Sequence, residues 1–102
     1  MKKVINKKIY DTEVATLVAE RIHGNYGNFR FWEEKLFVTK KENWFLRYEG
    51  GPLSRFSKTE GTTTSGDSGI IAYTPEQAQN FLEEVNEIEA LNKYFPGSIE
   101  EA

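Results

Sequence analysis

The stretch FRFWEEKLFVTKKENWFLRYE, residues 29–49, decides the fold of this chain. Its two arms are rich in aromatic and β-branched side chains, which favour β-strands. Four polar residues, KKEN at positions 40–43, separate the arms and have the length of a hairpin loop. The pattern therefore predicts an antiparallel β-hairpin with strands over residues 29–39 and 44–49.

Large apolar side chains lie on both faces of this predicted hairpin. In the second strand, alternation puts Trp44, Leu46 and Tyr48 on one face, and Phe45 and Arg47 on the other. A sheet with apolar groups on both faces needs cover on both, from the C-terminal helix, the loops or a partner. In the first strand, two adjacent glutamates at positions 33 and 34 interrupt the alternation and indicate a β-bulge.

The N-terminal segment before this hairpin divides into a clear part and an ambiguous part. Residues 1–15, MKKVINKKIYDTEVA, predict a β-hairpin because the apolar pairs at 4–5 and 9–10 flank a polar turn. Residues 14–22, VATLVAERI, fit one side of a helix with Asp11 or Thr12 as N-cap. The same residues also alternate as a strand would, so helix and strand both stay open.

The segment after the central hairpin is polar and then becomes helical. Residues 50–69, GGPLSRFSKTEGTTTSGDSG, predict a mobile loop of about twenty residues, a length that compact domains seldom keep without a function. Residues 70–73 predict a short buried strand. The sequence TPEQ at 74–77 predicts a helix that begins at Pro75, with Thr74 as N-cap and Gln77 completing a capping box.

The helical C-terminal part is expected over residues 75–95, with a break near Asn86 and an end at Pro96 and Gly97. Together these segments predict a single α+β domain over residues 1–102. Its core is a small antiparallel β-sheet of about four or five strands, covered by a C-terminal helix or helices.

Composition and charge limit the possible functions. The 102-residue chain has no cysteine, which removes disulfides and thiolate chemistry and fits a reducing cytoplasm. No long apolar run follows the N-terminal lysines, so we expect neither a secretory signal nor a membrane span. The net charge of −3 is divided along the chain: residues 1–58 carry 12 basic against 7 acidic side chains, and residues 59–102 carry 1 against 9. The two parts are expected to present opposite electrostatic fields.

Catalytic motifs are weak in this sequence. Residues 66–69 spell GDSG, which surrounds the nucleophile of trypsin-like proteases, but the chain is too short for that fold. Its one histidine, His23, lies in a Gly/Asn-rich turn and is expected at the surface. Adjacent carboxylates, as at 33–34, 83–84 and 100–101, point apart and do not form a shared acid–base site. We therefore expect no enzymatic activity, no cofactor and no metal ion.

Three stretches resemble small proteins of phages, plasmids and conjugative elements of Gram-positive bacteria. They are the opening KKVINKKIYDTEVA (residues 2–15), of the pattern KKxINxKxYDTExA; EGGPLS (49–54); and IIAYTPE (70–76). Proteins with this opening include inhibitors of type II-A CRISPR systems, and members commonly have Gly where Lys7 stands. The related chains also place a Gly/Asn-rich turn at residues 23–28, which favours a strand over residues 14–22. Because inhibitors with otherwise unrelated sequences share the opening, the resemblance implies a folding module or mark of origin rather than the inhibitory surface.

The resemblance implies an anti-CRISPR protein that binds a type II Cas effector nuclease, its guide RNA, or their assembly. Such effectors hold nucleic acid in positively charged channels, which a small protein can block. Cations among aromatic rings could compete for RNA, and the sheet with its following loop is favoured as the contact; the candidate residues are Lys35, Trp44, Arg47, Arg55 and Lys58. The other candidate is an acidic helical face that mimics phosphate, formed by Glu76, Glu83, Glu84, Glu87 and Glu89.

Two other classes of function remain open. One is an RNA-binding or regulatory module of a mobile element, whose RNA affinity would fall steeply with salt. The other, less favoured, is a small nuclease, which would depend on a divalent metal. The sequence does not decide which step of CRISPR interference is blocked, whether protein or RNA is contacted, or the oligomeric state.

Overall fold

The structure is a computed structural model that describes residues 1–25, 28–52, 54–61 and 63–102. Tyr26 and Gly27 of the Gly/Asn-rich turn, and Leu53 and Thr62 of the predicted loop, lie outside the described residues. In chain order the elements are β1 (Lys2–Ile5), β2 (Lys8–Asp11), β3 (Thr16–His23), β4 (Trp32–Val38), β5 (Trp44–Gly50), β6 (Lys58–Glu60), β7 (Thr63–Ser65), β8 (Asp67–Tyr73), α1 (Pro75–Glu84) and α2 (Ile88–Tyr94).

A four-stranded antiparallel sheet with the order β3-β4-β5-β8 forms the centre of the fold. The aromatic hairpin is β4–β5, in which Leu36 pairs with Leu46 and Phe37 pairs with Phe45. β1–β2 and β6–β7 are separate two-stranded hairpins, and the two helices follow β8. The predicted α+β fold, a small antiparallel sheet covered by C-terminal helices, is confirmed.

One face of the sheet packs against the helices. Leu36 and Leu46 of the sheet are almost fully buried there, together with Phe81 and Leu82 of α1. Trp44 lies on the same face, where its ring stacks on Phe95, just beyond α2, and meets the edge of Tyr94, the last residue of α2, at centroid distances of 5.4 and 5.1 Å. Burying each of these large side chains contributes roughly 1.5–3 kcal/mol, so this face holds the main core.

The opposite face is covered in part by the N-terminal hairpin. Phe37 and Phe45 stack at 5.1 Å on this face, and Tyr10 of β2 meets Phe45 edge-on at 5.4 Å. Ile70 of β8 completes this second cluster of buried side chains. The sheet therefore has cover on both faces, as its two-sided apolar pattern requires.

Both ends of α1 follow from local sequence. The Thr74 hydroxyl accepts from the Gln77 amide, and the Gln77 side chain accepts from the Thr74 amide, which is the predicted capping box. At the other end Asn86 has a φ of 61°, while the amides of Asn86 and Glu87 donate to the carbonyls of Glu83 and Leu82. This is a Schellman motif, and it produces the expected break before α2.

The ambiguity over residues 14–22 is resolved as strand from Thr16 onward, because β3 pairs with β4 along its length, whereas residues 14 and 15 lie in the preceding turn. The bulge expected at Glu33 and Glu34 is wrong. β4 pairs with β5 without a register shift, and the irregularity lies instead between Leu17 and Ala19 of β3. Glu34 keeps its inward position because its carboxylate is paired with Arg21 beneath the helix layer.

The loop expected over residues 50–69 contains more regular secondary structure than its low hydropathy predicts. It contains the β6–β7 hairpin and the first three residues of β8. Two glycines allow close approach here: an added Cβ at Gly66 would meet the Gly50 carbonyl oxygen, and one at Gly69 would meet the Tyr48 side chain. The β-branched threonines of this segment favour a strand, a signal that its low hydropathy obscures.

Replacing Thr74 with Ala removes the acceptor for the Gln77 amide. We expect a loss of about 1 kcal/mol in the free energy of unfolding, which corresponds to a fall of roughly 4 to 8 °C in Tm. Thr74→Ser keeps the hydroxyl and should retain most of the stability. Equal melting temperatures for Thr74→Ala and the wild type in a circular-dichroism melt would contradict the capping role.

Replacing Lys7 with Gly should stabilise the N-terminal hairpin. Asn6 and Lys7 form its two-residue turn with φ values of 50° and 66°, a conformation that glycine adopts without steric cost. Allowing for the greater chain entropy of glycine, we expect a gain of about 0.5 kcal/mol or more and a rise of roughly 2 to 4 °C in Tm. The control is Lys41→Gly, a turn residue without a positive φ, which should not stabilise the protein.

Candidate functional site

The sheet-side candidate residues are divided between different surfaces. Lys35 and Arg47 are cross-strand neighbours on the face that bears the N-terminal hairpin, and both are half-buried. The Arg47 guanidinium donates to the Tyr48 carbonyl oxygen at 3.0 Å. Trp44 faces the other way and is only 4% exposed. Because its ring lies in the core beside α2, it is not accessible to a partner. Its assignment as a contact residue therefore does not fit this fold.

The remaining two sheet-side candidates follow β5. Arg55 holds its guanidinium 5.3 Å from the ring centre of Trp32 and 5.2 Å from that of Phe56, and its side chain is 54% exposed. Lys58 is exposed in β6 and lines a shallow pocket with Glu49 and Asp67. Of the five candidates, only Lys35 and Arg47 are therefore brought together as neighbours.

A charged cluster that the sequence did not reveal lies where the helix layer ends over the sheet. The Arg21 guanidinium bridges Glu34 of β4 and Glu84 of α1, each at 2.8 Å. It also lies 4.9 Å from the ring centre of Phe81. Burial alone would lower the pKa of Arg21, but hydrogen bonds to Glu84 and Glu34 outweigh it and raise the pKa. Arg21 thus ties the helix to the sheet through Glu84, whose side chain is 62% exposed, and pairs within the sheet with Glu34, which is only 3% exposed.

Aromatic rings extend this cluster toward the sheet edge. His23 is exposed and stacks on Trp32 at 5.6 Å, and Trp32 meets the edge of Phe56 at 6.2 Å. Tyr48 stacks on the other side of this group at 4.8 Å from Phe56 and reaches Asp67 with its hydroxyl at 3.4 Å. Burial, with a smaller contribution from Asp67, raises the pKa of Tyr48. These contacts fit a packing role, which orders the chain after β5.

The five acidic candidates are all exposed, and they lie on or between the two helices. We call this surface the acidic helical layer; it comprises Glu76, Glu83, Glu84, Glu87 and Glu89. Glu76 and Glu83 are two helical turns apart and share one side of α1. Glu84 is the member that is paired, with Arg21. The layer therefore presents several carboxylates to solvent.

A second concave surface lies at the opposite end of the sheet. The turn of the N-terminal hairpin and the β4–β5 turn enclose a cleft of about 500 Å³ between them. Four lysines line it: Lys7, Lys8, Lys40 and Lys41. The two Lys-Lys pairs, at 7–8 and 40–41, are visible in the sequence. Only the predicted hairpins could have indicated that these two pairs lie close together.

The GDSG stretch has no catalytic geometry with His23. Ser68 and His23 lie on strands β8 and β3, which are three strand spacings apart, or roughly 14 Å. Their register partners also place their side chains on opposite faces of the sheet. A general base must lie within hydrogen-bond reach of the hydroxyl that it activates, so these two residues cannot act together.

Replacing Arg21 with Met would leave the Glu34 carboxylate buried with only Arg55, at 3.9 Å, nearby. We expect a loss of about 3 kcal/mol and a fall of roughly 12 °C or more in Tm. The double variant Arg21→Met/Glu34→Leu buries no charge and should recover most of this loss. Arg30→Met, the same change at an exposed position, should alter Tm little. A small effect of Arg21→Met would show that the bridge does not hold the helix to the sheet.

Comparison with known proteins identifies no relative of this chain. No family model, no curated protein and no solved structure matches the chain. Across the described ranges, no helix is long and apolar enough to cross a membrane. The same part of the chain contains no group of three or more His, Cys, Asp or Glu residues placed to hold a metal ion.

Proposed function

We propose that this chain is an anti-CRISPR protein that acts by binding in the bacterial cytoplasm. It binds a type II Cas effector nuclease through the acidic helical layer and blocks target cleavage by occupying a channel meant for nucleic acid. The resemblance of residues 2–15, 49–54 and 70–76 to inhibitors from Gram-positive mobile elements supports the class of target. The distribution of charge supports binding through the acidic helical layer.

The observation that carries this proposal is the concentration of exposed carboxylates on one layer of the fold. Residues 75–94 contain five glutamates and one basic residue, Lys93, a net charge of −4. The glutamates are exposed on or between two short helices, and the capping box of α1 fixes the spacing of the glutamates that lie on that helix. Type II effectors hold guide and target in positively charged channels. A layer of exposed carboxylates is complementary to such a channel and can displace a phosphate backbone from it.

The sheet-side alternative has weaker geometric support. Competition for RNA would require Lys35, Arg47, Arg55 and Lys58 to act on one strand of nucleic acid. Lys35 and Arg47 lie on the face that bears the N-terminal hairpin, whereas Arg55 lies against Trp32 near the helix side. Trp44, the ring proposed to stack on a base, is in the core. The charge arrangement therefore favours the helical layer over the sheet as the contact with the effector.

The N-terminal hairpin has a different role in this proposal. Its Tyr10 packs on Phe45 and closes the second core, so the hairpin contributes to folding. A module that covers one face of a sheet can be shared by inhibitors with different binding surfaces. This agrees with the implication that the opening is a folding module rather than the inhibitory surface.

A cleavage assay with a guide-loaded type II effector tests the proposal. The variant Glu83→Lys/Glu87→Lys/Glu89→Lys changes the charge of the layer by +6 and spares Glu84, which pairs with Arg21. We expect the concentration for half-inhibition to rise by about 10-fold or more, since complementary fields raise association rates by 10- to 10³-fold.

The matched control reverses the same number of charges elsewhere. Lys35→Glu/Arg47→Glu/Lys58→Glu changes the charge by −6 and should leave inhibition within a few-fold of the wild type. Both variants are checked by circular dichroism and Tm before the assay. Loss of inhibition in the control alone would reject the helical layer and favour the sheet. Failure of the wild-type protein to inhibit a panel of type II effectors would reject the anti-CRISPR function itself.

The order of addition distinguishes the step that is blocked. An acidic layer that occupies the target-DNA channel should inhibit effector already loaded with guide RNA. One that blocks guide loading should inhibit only when added before the guide. The RNA-binding or regulatory alternative predicts tight binding to free RNA in the absence of effector, and the nuclease alternative predicts cleavage that stops on chelation of divalent metal. Either result without effector inhibition would replace the present proposal.

A further inference from the structure

The lysine cleft, defined by Lys7, Lys8, Lys40 and Lys41, is a basic concavity. Its volume of about 500 Å³ lies within the 300 to 1,000 Å³ typical of ligand pockets. Asp11 is the only acidic residue that lines it, so the lining carries a net charge of +4 − 1 = +3. Glu13 and Glu42 are close in sequence but do not line the cleft.

Local structure holds the two sides of the cleft in fixed positions. The Lys8 ammonium donates to the Asn43 side-chain oxygen at 3.2 Å, which joins the two turns directly. The β4–β5 turn is closed by the Thr39 amide, which donates to the Asn43 carbonyl oxygen at 2.9 Å. Beneath the cleft, Tyr10 packs on the buried Phe45. The cleft is therefore preformed and needs no rearrangement to accept a ligand.

The positive charge that lines the cleft exceeds the negative charge that lines it. Among the described residues, the ion pairs are made by Arg21 and Arg55, and the four lysines of the cleft make none. Four lysines that line one concavity concentrate positive charge there, and like charges repel one another. Lysines spread over a convex surface would avoid this repulsion. A bound anion would relieve it, so the arrangement favours a polyanionic ligand.

The apolar side chains that line the cleft indicate which class of anion fits it. Ile9 and Val14 are among the most exposed aliphatic side chains of the protein, at 66% and 71%, and both line the cleft beside the amines. A nucleotide presents a charged phosphate and a base with an apolar face within one unit. Lysine ammonium groups bind phosphate as point charges. In a single strand the bases are free to leave the stack and contact such side chains, whereas a duplex keeps them inside.

We propose that the lysine cleft binds the backbone of a single-stranded nucleic acid, with phosphates on the lysines and a base against Ile9 and Val14. The site lies on the N-terminal hairpin and the β4–β5 turn, away from the acidic helical layer. It does not depend on the proposed inhibition of an effector nuclease. The protein would then carry two binding surfaces of opposite charge.

Fluorescence anisotropy with a labelled 12-nucleotide single-stranded RNA, and a DNA of the same length, tests this site. Three or four phosphate contacts predict that affinity falls about 20- to 50-fold between 50 and 200 mM salt. The variant Lys7→Gln/Lys40→Gln/Lys41→Gln keeps the aliphatic stems and removes three charges. We expect it to weaken binding by about 10-fold or more at 50 mM salt and to reduce the magnitude of the salt slope by about two.

The matched control, Lys35→Gln/Lys58→Gln/Lys93→Gln, removes the same charge outside the cleft and should weaken binding only a few-fold. Amide chemical-shift mapping on the wild-type protein gives a second measurement, in which residues such as Thr39 and Asn43 should shift on addition of RNA. Equal losses in both variants, or no binding at 50 mM salt, would overturn the proposal. So would displacement of RNA by millimolar inorganic phosphate or by a poly-glutamate peptide of equal charge as readily as by unlabelled RNA.

Discussion

The fold depends on the β4–β5 hairpin, which carries large side chains on both of its faces. Leu36 and Leu46 need cover from one side, and Phe37 and Phe45 need it from the other. In a chain of 102 residues neither cover can be large. The two helices take one face and the four-residue strands β1 and β2 take part of the other. The N-terminal hairpin is therefore held in place by the same constraint that places the helices, although the two are at opposite ends of the sequence.

The polar cluster at Arg21 follows from the limited length of α1. Ten residues of helix span roughly 15 Å, so the helix cannot cover the sheet to its far end. Where the apolar cover stops, Glu34 still points toward the helix layer, and a lone carboxylate there would be costly. Arg21 offsets this cost from the neighbouring strand and reaches Glu84 at the last turn of α1. The rings of Trp32 and Phe56, with Arg55, then complete the packing around this end of the sheet.

Most of the fold could be predicted because it depends on local sequence signals. The rest depends on contacts between residues far apart in the sequence and could not be predicted. The capping box at Thr74, the break at Asn86 and the central hairpin depend on neighbours in sequence, so residue types and spacing were sufficient. The Arg21–Glu34 bridge joins two strands whose register the sequence alone does not determine. In the sequence, Glu34 interrupts the alternation of its strand; in the structure, it forms a buried ion pair. The candidate sites were less predictable for the same reason. Trp44 was chosen for its residue type, but its burial depends on α2, 44 residues further along the chain. The lysine cleft depends on two turns whose proximity the sequence does not state.

The topology also explains how the division of charge along the chain becomes a division in space. The lysine pairs at 7–8 and 40–41 occupy turns that line one cleft, where the N-terminal hairpin packs on β4–β5. The glutamates of residues 75–94 occupy the helix layer on the other face. The helices pack on the face of the sheet that bears Leu36 and Leu46, whereas the N-terminal hairpin packs on the face that bears Phe37 and Phe45. Screening over about 8 to 10 Å at physiological salt further separates the two fields. One small domain can thus present a cationic cleft and an anionic layer without either neutralising the other, and each remains available to a partner of the opposite charge.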